Sequence, residues 1–456
     1  MEVSLVEMLD ARERRAMRQM QLLGQYGKPL ICFTMNIAGP VKNSPLIRRG
    51  FDLGRGLLEQ QLMVAKAAVV HFEEIHEKTG NEAIYVLDCD ALTAKRAAVN
   101  VEDHTEAGRL FDMDVLRPDG SKVERQELKL EARKCLICGG MASACARSRA
   151  HTVAQLQERT QALLEAALSH EDARRTARLA CQALLYEVAV TPKPGLVDRA
   201  NSGSHEDMDV FSFQASAAAL WPYFETCAKI GMETRALAPE ETFARLRVPG
   251  MLAEGEMLRA TGGVNTHKGA IFSLGILCGA LGRLGWEYAD KPEGLLCECG
   301  RMAAGLVAKD YGDLTEETAE TVGQKLYLRH GITGVRGQAE AGFPAVWQVG
   351  LPKLEEGLKM GLSLNEAGCA ALLAMLAATV DTNLISRSSY ETQQRIALET
   401  DALLQKTPFP GEDVLKQMDE AFMEKNLSPG GTADLLAMTC FLYLLKEDAQ
   451  WGNKAD

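Results

Sequence analysis

Long apolar runs are missing from this sequence. The longest, at 370–380 and 435–445, fall short of the ~18 uninterrupted residues a membrane helix needs, so no helical span of a bilayer is expected. The first residues, MEVSLVEMLDARERRAM, carry charge throughout and lack the apolar stretch and small-residue cleavage site of a secretory signal. Cysteine is sparse as well. Twelve in 456 residues are far too few for a disulfide scaffold, and most stand alone in apolar stretches, so a reducing cytoplasm is the expected compartment. There is no basic excess: the formal net charge is −12, which argues against a nucleic-acid partner. Compositional extremes are also absent. With 46% hydrophobic and 25% charged residues, the chain is neither disordered, collagen-like nor a coiled coil.

What is present is enough length for two or more folding units. Residues 1–160 carry 23 basic against 22 acidic groups, whereas 161–456 carry 27 against 40. The charge break predicts a domain break. Ser4 and Glu7 have capping-box spacing ahead of a helical repeat. Residues 29–37 are β-branched and aromatic and predict a strand. A helical pattern covers 56–76, and 83–87, 97–101 and 110–116 read as short strands. Beyond Cys145 helical periodicity takes over, starting with a leucine- and alanine-rich helix at 153–169. Glycine- and proline-rich loops interrupt it at 192–203, 261–269, 331–344 and 428–431. The expected fold is multidomain: an α/β domain over 1–165, then an all-α domain over 173–450.

Three clusters in the first part can carry chemistry. Asp112 and Asp114 alternate along a strand, so both side chains share one face, where a hard cation such as Mg²⁺ would offset their repulsion. The other reading is a solvated edge strand, with Arg109 as a nearby cation. Lys42, Arg48 and Arg49 lie on a loop over 39–49 that could hold phosphate or be an ordinary charged turn. Cys135, Cys138, Cys145 and His151 have ligand types and spacing able to close a tetrahedral zinc site. Arg133, Lys134, Arg147 and Arg149 surround them, so the alternative is a basic loop that docks an acidic partner over buried thiols.

In the second part, Lys193, Asp198 and Arg199 share a proline-stiffened loop. Asn265, His267 and Lys268 precede an apolar helix whose amino end could meet phosphate. Asp381 and Asn383 follow one apolar helix, and Asp434 lies at the start of another. Singly, each cluster fits turn or capping chemistry. Together they predict a phosphate-rich site.

These segments also carry resemblances. Ala11-Arg-Glu-Arg-Arg-Ala-Met-Arg18, the 39–49 loop, Gly108-Arg-Leu-Phe-Asp-Met-Asp-Val115 and the Cys/His segment resemble the apo-citrate lyase phosphoribosyl-dephospho-CoA transferase family. That resemblance implies a nucleotidyltransferase-type domain in which Asp112 and Asp114 hold Mg²⁺. It would transfer phosphoribosyl-dephospho-CoA to a serine of the citrate lyase acyl carrier protein and release pyrophosphate. PKPGLVDR, GVNTHKGAIFSLG, HGITGVRGQAEAGFP, DTN and SPGGTADLL are similar to the triphosphoribosyl-dephospho-CoA synthase family. That family joins ATP to 3′-dephospho-CoA with loss of adenine, a reaction that implies Lys193, Arg199 and Lys268 as phosphate clamps and Asp198, His267 or Asp381 as the base. One departure is visible: Arg387-Ser388-Ser389 stands where an arginine and two glycines are expected. The implied partners are ATP, 3′-dephospho-CoA and the apo carrier subunit, with neither nucleic acid nor membrane. An ADP-ribosyl hydrolase-like enzyme and a non-catalytic lyase-assembly scaffold remain as alternatives.

Overall fold

The computed structural model describes residues 2–454. The chain divides into two compact units, Met1–Glu171 and Asp172–Asp456. No helix among the described residues is long and apolar enough to cross a membrane.

The first unit contains α1 (Leu5–Tyr26), β1 (Leu30–Met35), α2 (Pro45–Val64), β2 (Ala68–Glu77), β3 (Gly80–Asp88), α3 (Ala91–His104), β4 (Phe111–Leu116), α4 (Ala142–Ser148) and the start of α5 (Val153–Ala189). Ser4 and Glu7 close the capping box of α1, and Gly27 ends it at φ 61°. The four strands form an antiparallel sheet in the order β2-β3-β1-β4. One sheet face buries Phe33, Tyr85, Phe111 and Met113 with residues of α2 and α3. The other face packs Cys32, Ile84 and Val86 against Leu22 and Leu23 of α1.

Two sequence expectations fail here. The helical pattern at 56–76 breaks, because α2 stops at Val64, Lys66 turns at φ 53°, and the β-branched run Ala68–Glu77 pairs with β3. Residues 97–101 are helix, not strand. They lie within α3, whose N-cap Asp90 accepts the Thr93 N–H and whose buried Ala94, Ala97, Ala98 and Val101 recur at helical spacing.

The second unit is helical: the rest of α5, then α6 (Val210–Ala219), α7 (Trp221–Glu233), α8 (Pro239–Ala260), α9 (Lys268–Leu284), α10 (Pro292–Met302), α11 (Leu306–Tyr311), α12 (Val322–His330), α13 (Gly334–Glu340), α14 (Leu351–Lys359), α15 (Leu364–Ala378), α16 (Thr382–Arg387), α17 (Tyr390–Lys406), α18 (Glu412–Glu424) and α19 (Gly430–Lys454). Helix α9 is its centre, with twelve buried residues from Ala270 to Gly282. Against it, α7 comes unusually close: a Cβ on Gly231 would stand 2.1 Å from the Gly279 carbonyl oxygen, and one on Gly282 would stand 2.2 Å from that of Ala228. Only glycine permits that approach, which fixes where the amino end of α9 sits.

Candidate active sites

In the second unit a cleft of about 410 Å³ opens among α9, α13, α16 and α19. Helices α9 and α19 both begin at its wall, so the positive ends of their dipoles lie beside it. Asn265 caps α9 by accepting the Lys268 N–H at 3.2 Å.

Asp381 joins two of the sequence motifs. Its Oδ1 accepts the N–H groups of Asn383 and Leu384 at 2.9 and 3.0 Å. Its Oδ2 accepts the N–H and hydroxyl of Thr432 at 2.7 and 2.8 Å. Four donors occupy this buried carboxylate, so it ties α16 to α19 and has no lone pair left to take a substrate proton. Asp434 is placed differently. It accepts the Ala270 N–H, and burial together with the charges of Glu187 and Asp381 pushes its pKa well above the carboxylate range. Its carboxylate presses on Gly269, where a Cβ would lie 1.9 Å from Oδ2.

His267 is 2% exposed and lines the cleft. Its Nδ1 is 2.7 Å from Ser216 Oγ, its ring meets Phe213 edge-on, and its Nε2 has no partner. Burial, with Lys193 nearby, lowers its pKa to about 3, so the ring is neutral at physiological pH.

The remaining predicted residues of this unit separate. Asn383 and Lys268 line the cleft, the latter exposed and paired with Glu254 at 2.9 Å. Lys193, Asp198 and Arg199 are not among its lining residues. Lys193 is buried against Glu187, donating to its carboxylate and, at 2.7 Å, to its carbonyl oxygen. Asp198 accepts the N–H groups of Lys193, Ala200 and Asn201 and so shapes its own loop. Arg199 donates to the Ala189 carbonyl oxygen at 2.6 Å and to Asn365 at 3.1 Å. Sequence reasoning missed Glu187, His205, Gln338 and Arg387, all at the cleft wall. Arg387 donates to His205 Nδ1 at 3.1 Å, so the Nε2–H of His205 is the donor to Ser428 Oγ at 2.9 Å. Arg387 had a sequence signal, because it belongs to the motif that departs from its family at the next two positions.

In the first unit, β4 alternates buried Phe111, Met113 and Val115 with Asp112 and Asp114. Register places the two aspartates opposite Thr34 and Cys32, on one face. Asp112 is 3.4 Å from Arg133, and Asp114 is 2.5 Å from Lys122. Both carboxylates are partly exposed and exchangeable. The expected loop over 39–49 is shorter than predicted: Ser44 caps α2 and Pro45 opens it, so Arg48 and Arg49 lie on the first turn of the helix. Arg48 pairs with Asp52 at 3.1 Å, and Lys42 donates to the Ile37 carbonyl oxygen at 2.6 Å. Arg109 donates to the Lys134 carbonyl oxygen. Cys135, Cys138, Cys145 and His151 converge, each offering a ligand atom within 4.8 Å of the others, a group able to hold a metal ion.

Comparison with known proteins agrees with this division. Residues 3–167 match the family described as apo-citrate lyase phosphoribosyl-dephospho-CoA transferase (CitX). Residues 173–453 match ATP:dephospho-CoA triphosphoribosyl transferase (CitG). Protein CitXG of Haemophilus influenzae is 35% identical over 454 residues, 96% of each chain. The chain belongs to the CitXG family. A second CitXG protein, from Leuconostoc mesenteroides subsp. cremoris, is 32% identical over 96% of this chain and 97% of its own. The 2-(5''-triphosphoribosyl)-3'-dephosphocoenzyme-A synthase of Pectobacterium atrosepticum is 42% identical over 262 residues, 57% of this chain and 86% of its own. CitXG membership thus accounts for both units, each with its own cluster of polar groups.

Proposed function

We infer that the chain carries out two consecutive transfers in the maturation of citrate lyase, the synthase within 173–450 and the carrier-loading transferase within 1–165. The first joins ATP to 3′-dephospho-CoA: the 2′-hydroxyl of dephospho-CoA attacks the anomeric carbon of the ATP ribose, the glycosidic bond breaks, and adenine leaves. The second passes the phosphoribosyl-dephospho-CoA group to a serine of the apo acyl carrier subunit: the serine oxygen attacks the phosphoryl group next to the ribose, and pyrophosphate leaves.

The observation that carries the first assignment is the cleft wall, where α9 and α19 present their amino ends beside Asp434 and His267. The positive ends of two helix dipoles suit a triphosphate. Displacement at an anomeric carbon builds positive charge on the sugar, and Glu187, ion-paired with Lys193 at the cleft wall, is the acidic group proposed to stabilise it. Neutral His267, with Nε2 unpartnered, is the group proposed to hydrogen-bond substrate, whereas Asp381 and Asp198 are each occupied by backbone donors. Mg²⁺, when bound, would neutralise charge on the triphosphate, and Asp434 would give up its proton to hold the ion.

For the second transfer, Asp112 and Asp114 are the proposed Mg²⁺ ligands of a nucleotidyltransferase-type domain, exchanging Arg133 and Lys122 for the ion. Arg109, Lys42, Arg48 and Arg49 are the proposed phosphate contacts around it. Zinc is the metal whose preferences match three thiolates and an imidazole. The cysteines form no disulfide, which fits a cytoplasmic enzyme. Adenine release from ATP that depends on dephospho-CoA tests the first half, and loss of it in Asp434→Ala with the fold intact is the expected result.

A further inference from the structure

From Glu124 to Arg159 no residue is buried. A stretch of this length usually has to be held by apolar burial, and here that is thin: Leu136, half-buried, packs against the cluster of Ile37, Ile47, Leu110 and Leu164. Its one α-helix before α5, the seven-residue α4, has no side-chain N-cap hydrogen bond, and an isolated helix of that length is not stable in water. Yet the segment is ordered around one point. The Cys135 N–H donates to the Gly140 carbonyl oxygen at 2.6 Å, and Lys134 pairs with Met141 across the hairpin. The Ala142 N–H donates to the Arg133 carbonyl oxygen at 3.0 Å. Inside this turn lie the three thiols and His151, whose Nε2 is shielded from water and has no hydrogen-bond partner.

The outside of the same hairpin is distinctive in charge. Lys134, Arg147 and Arg149 are exposed, and no ion pair to any of them is present among the described residues. Elsewhere on this unit Arg14, Arg15, Arg18, Lys28, Lys78 and Arg117 are each paired with a carboxylate. The same segment exposes two apolar side chains, Ile137 and Met141. Arg133 turns the other way. It donates to the Phe111 carbonyl oxygen at 2.6 Å and reaches Asp112, which fastens the hairpin to the carboxylate strand.

We propose that Cys135, Cys138, Cys145 and His151 bind one zinc ion that folds this hairpin into the docking surface for the acyl carrier subunit, through Lys134, Arg147 and Arg149. The proposal rests on the reading of Asp112 and Asp114 as the transfer site. A metal adds to this thin apolar anchoring as a source of order. The occupant is an acidic carrier, because three exposed cations without an ion pair, on one segment that also exposes Ile137 and Met141, are complementary to an acidic surface, and electrostatic matching speeds and orients such encounters. Arg133 links that surface to the carboxylates at which the acceptor serine must arrive.

The experiment uses the full-length enzyme. Metal analysis after purification without chelator is expected to find about one zinc per chain. Arg147→Glu combined with Arg149→Glu is expected to keep the zinc and leave adenine release unchanged. It should raise KM for apo carrier at least about tenfold at low salt with little change in kcat, an effect that shrinks as salt rises. Cys138→Ser is expected to lose zinc and show the same KM defect. A zinc-free enzyme that loads carrier with normal KM overturns the metal centre, and an unchanged KM in the double charge reversal overturns the docking surface. Normal loading by Asp112→Asn with Asp114→Asn would instead refute the transfer site, a result separable from either.

Discussion

Ser216 Oγ stands 2.7 Å from His267 Nδ1, across 51 residues of sequence, and Nε2 of the same ring is buried with no hydrogen-bond partner. Burial beside Lys193 lowers the pKa of this ring to about 3, so it does not titrate between about pH 5.5 and 8. Adenine release should therefore show no ionisation from His267 in that window. Ser216→Ala frees the ring to rotate and should reduce kcat by about tenfold with a smaller change in KM, while Ser216→Thr retains a hydroxyl and should restore much of the rate. An equal loss in both variants would mean that Ser216 serves only packing.

Asp434 gives the cleft a pH signature. Its folded pKa lies well above its unfolded value because of burial and the Glu187 and Asp381 charges. Such a group favours the folded state at low pH, and that contribution is lost as pH rises past the unfolded pKa toward the folded one. Asp434→Asn should therefore gain thermal stability relative to wild type at about pH 8 more than at about pH 5.5. Melting curves of both proteins at the two pH values check it, and a difference that does not vary with pH would contradict the buried, charge-crowded carboxylate.

The packing of α7 on α9 makes a simpler claim. A methyl at Gly231 would meet the Gly279 carbonyl oxygen at 2.1 Å, and backbone cannot swing aside as a side chain would. Gly231→Ala should cost about 1–3 kcal/mol, and Gly282→Ala a similar amount. By contrast, Gly255→Ala in α8, with nothing within 4 Å of the added carbon, should be neutral or slightly stabilising. Chemical denaturation of the three variants orders them.

In the transferase unit, Asp112→Asn and Asp114→Asn should each lower carrier loading by at least about a hundredfold while adenine release continues. Separate assays of adenine and of modified carrier distinguish the two reactions. Equal loss of both would place the aspartates outside the transfer step.

Much of this could be read from the residues, for identifiable reasons. The capping box at Ser4 and Glu7, the Asp112/Asp114 alternation and the convergence of the Cys/His ligands depend on short-range spacing, and short-range spacing survives folding. The errors came where local pattern was ambiguous. Residues 68–76 continue an amphipathic repeat into a strand because nothing in sequence marks the turn at Lys66 as decisively as a glycine would. Residues 97–101 are alanine- and valine-rich, a composition that suits either element until the helix cap at Asp90 is recognised. The cleft was legible only in part. Lys193 looks like a phosphate clamp on its loop, but the chain buries it against Glu187 from the preceding helix. Glu187, Gln338 and Arg387 reach the wall from elements far apart in sequence, which single-chain spacing cannot pair.

The central claim is that one chain both builds the prosthetic group and delivers it. The direct measurement is the mass of apo acyl carrier protein after incubation with the full-length enzyme, ATP, 3′-dephospho-CoA and Mg²⁺. The account predicts a gain equal to one phosphoribosyl-dephospho-CoA group on a single serine, with adenine and pyrophosphate released in equal amounts. Carrier that remains unmodified while adenine is released, or that is modified without any adenine release, would contradict it.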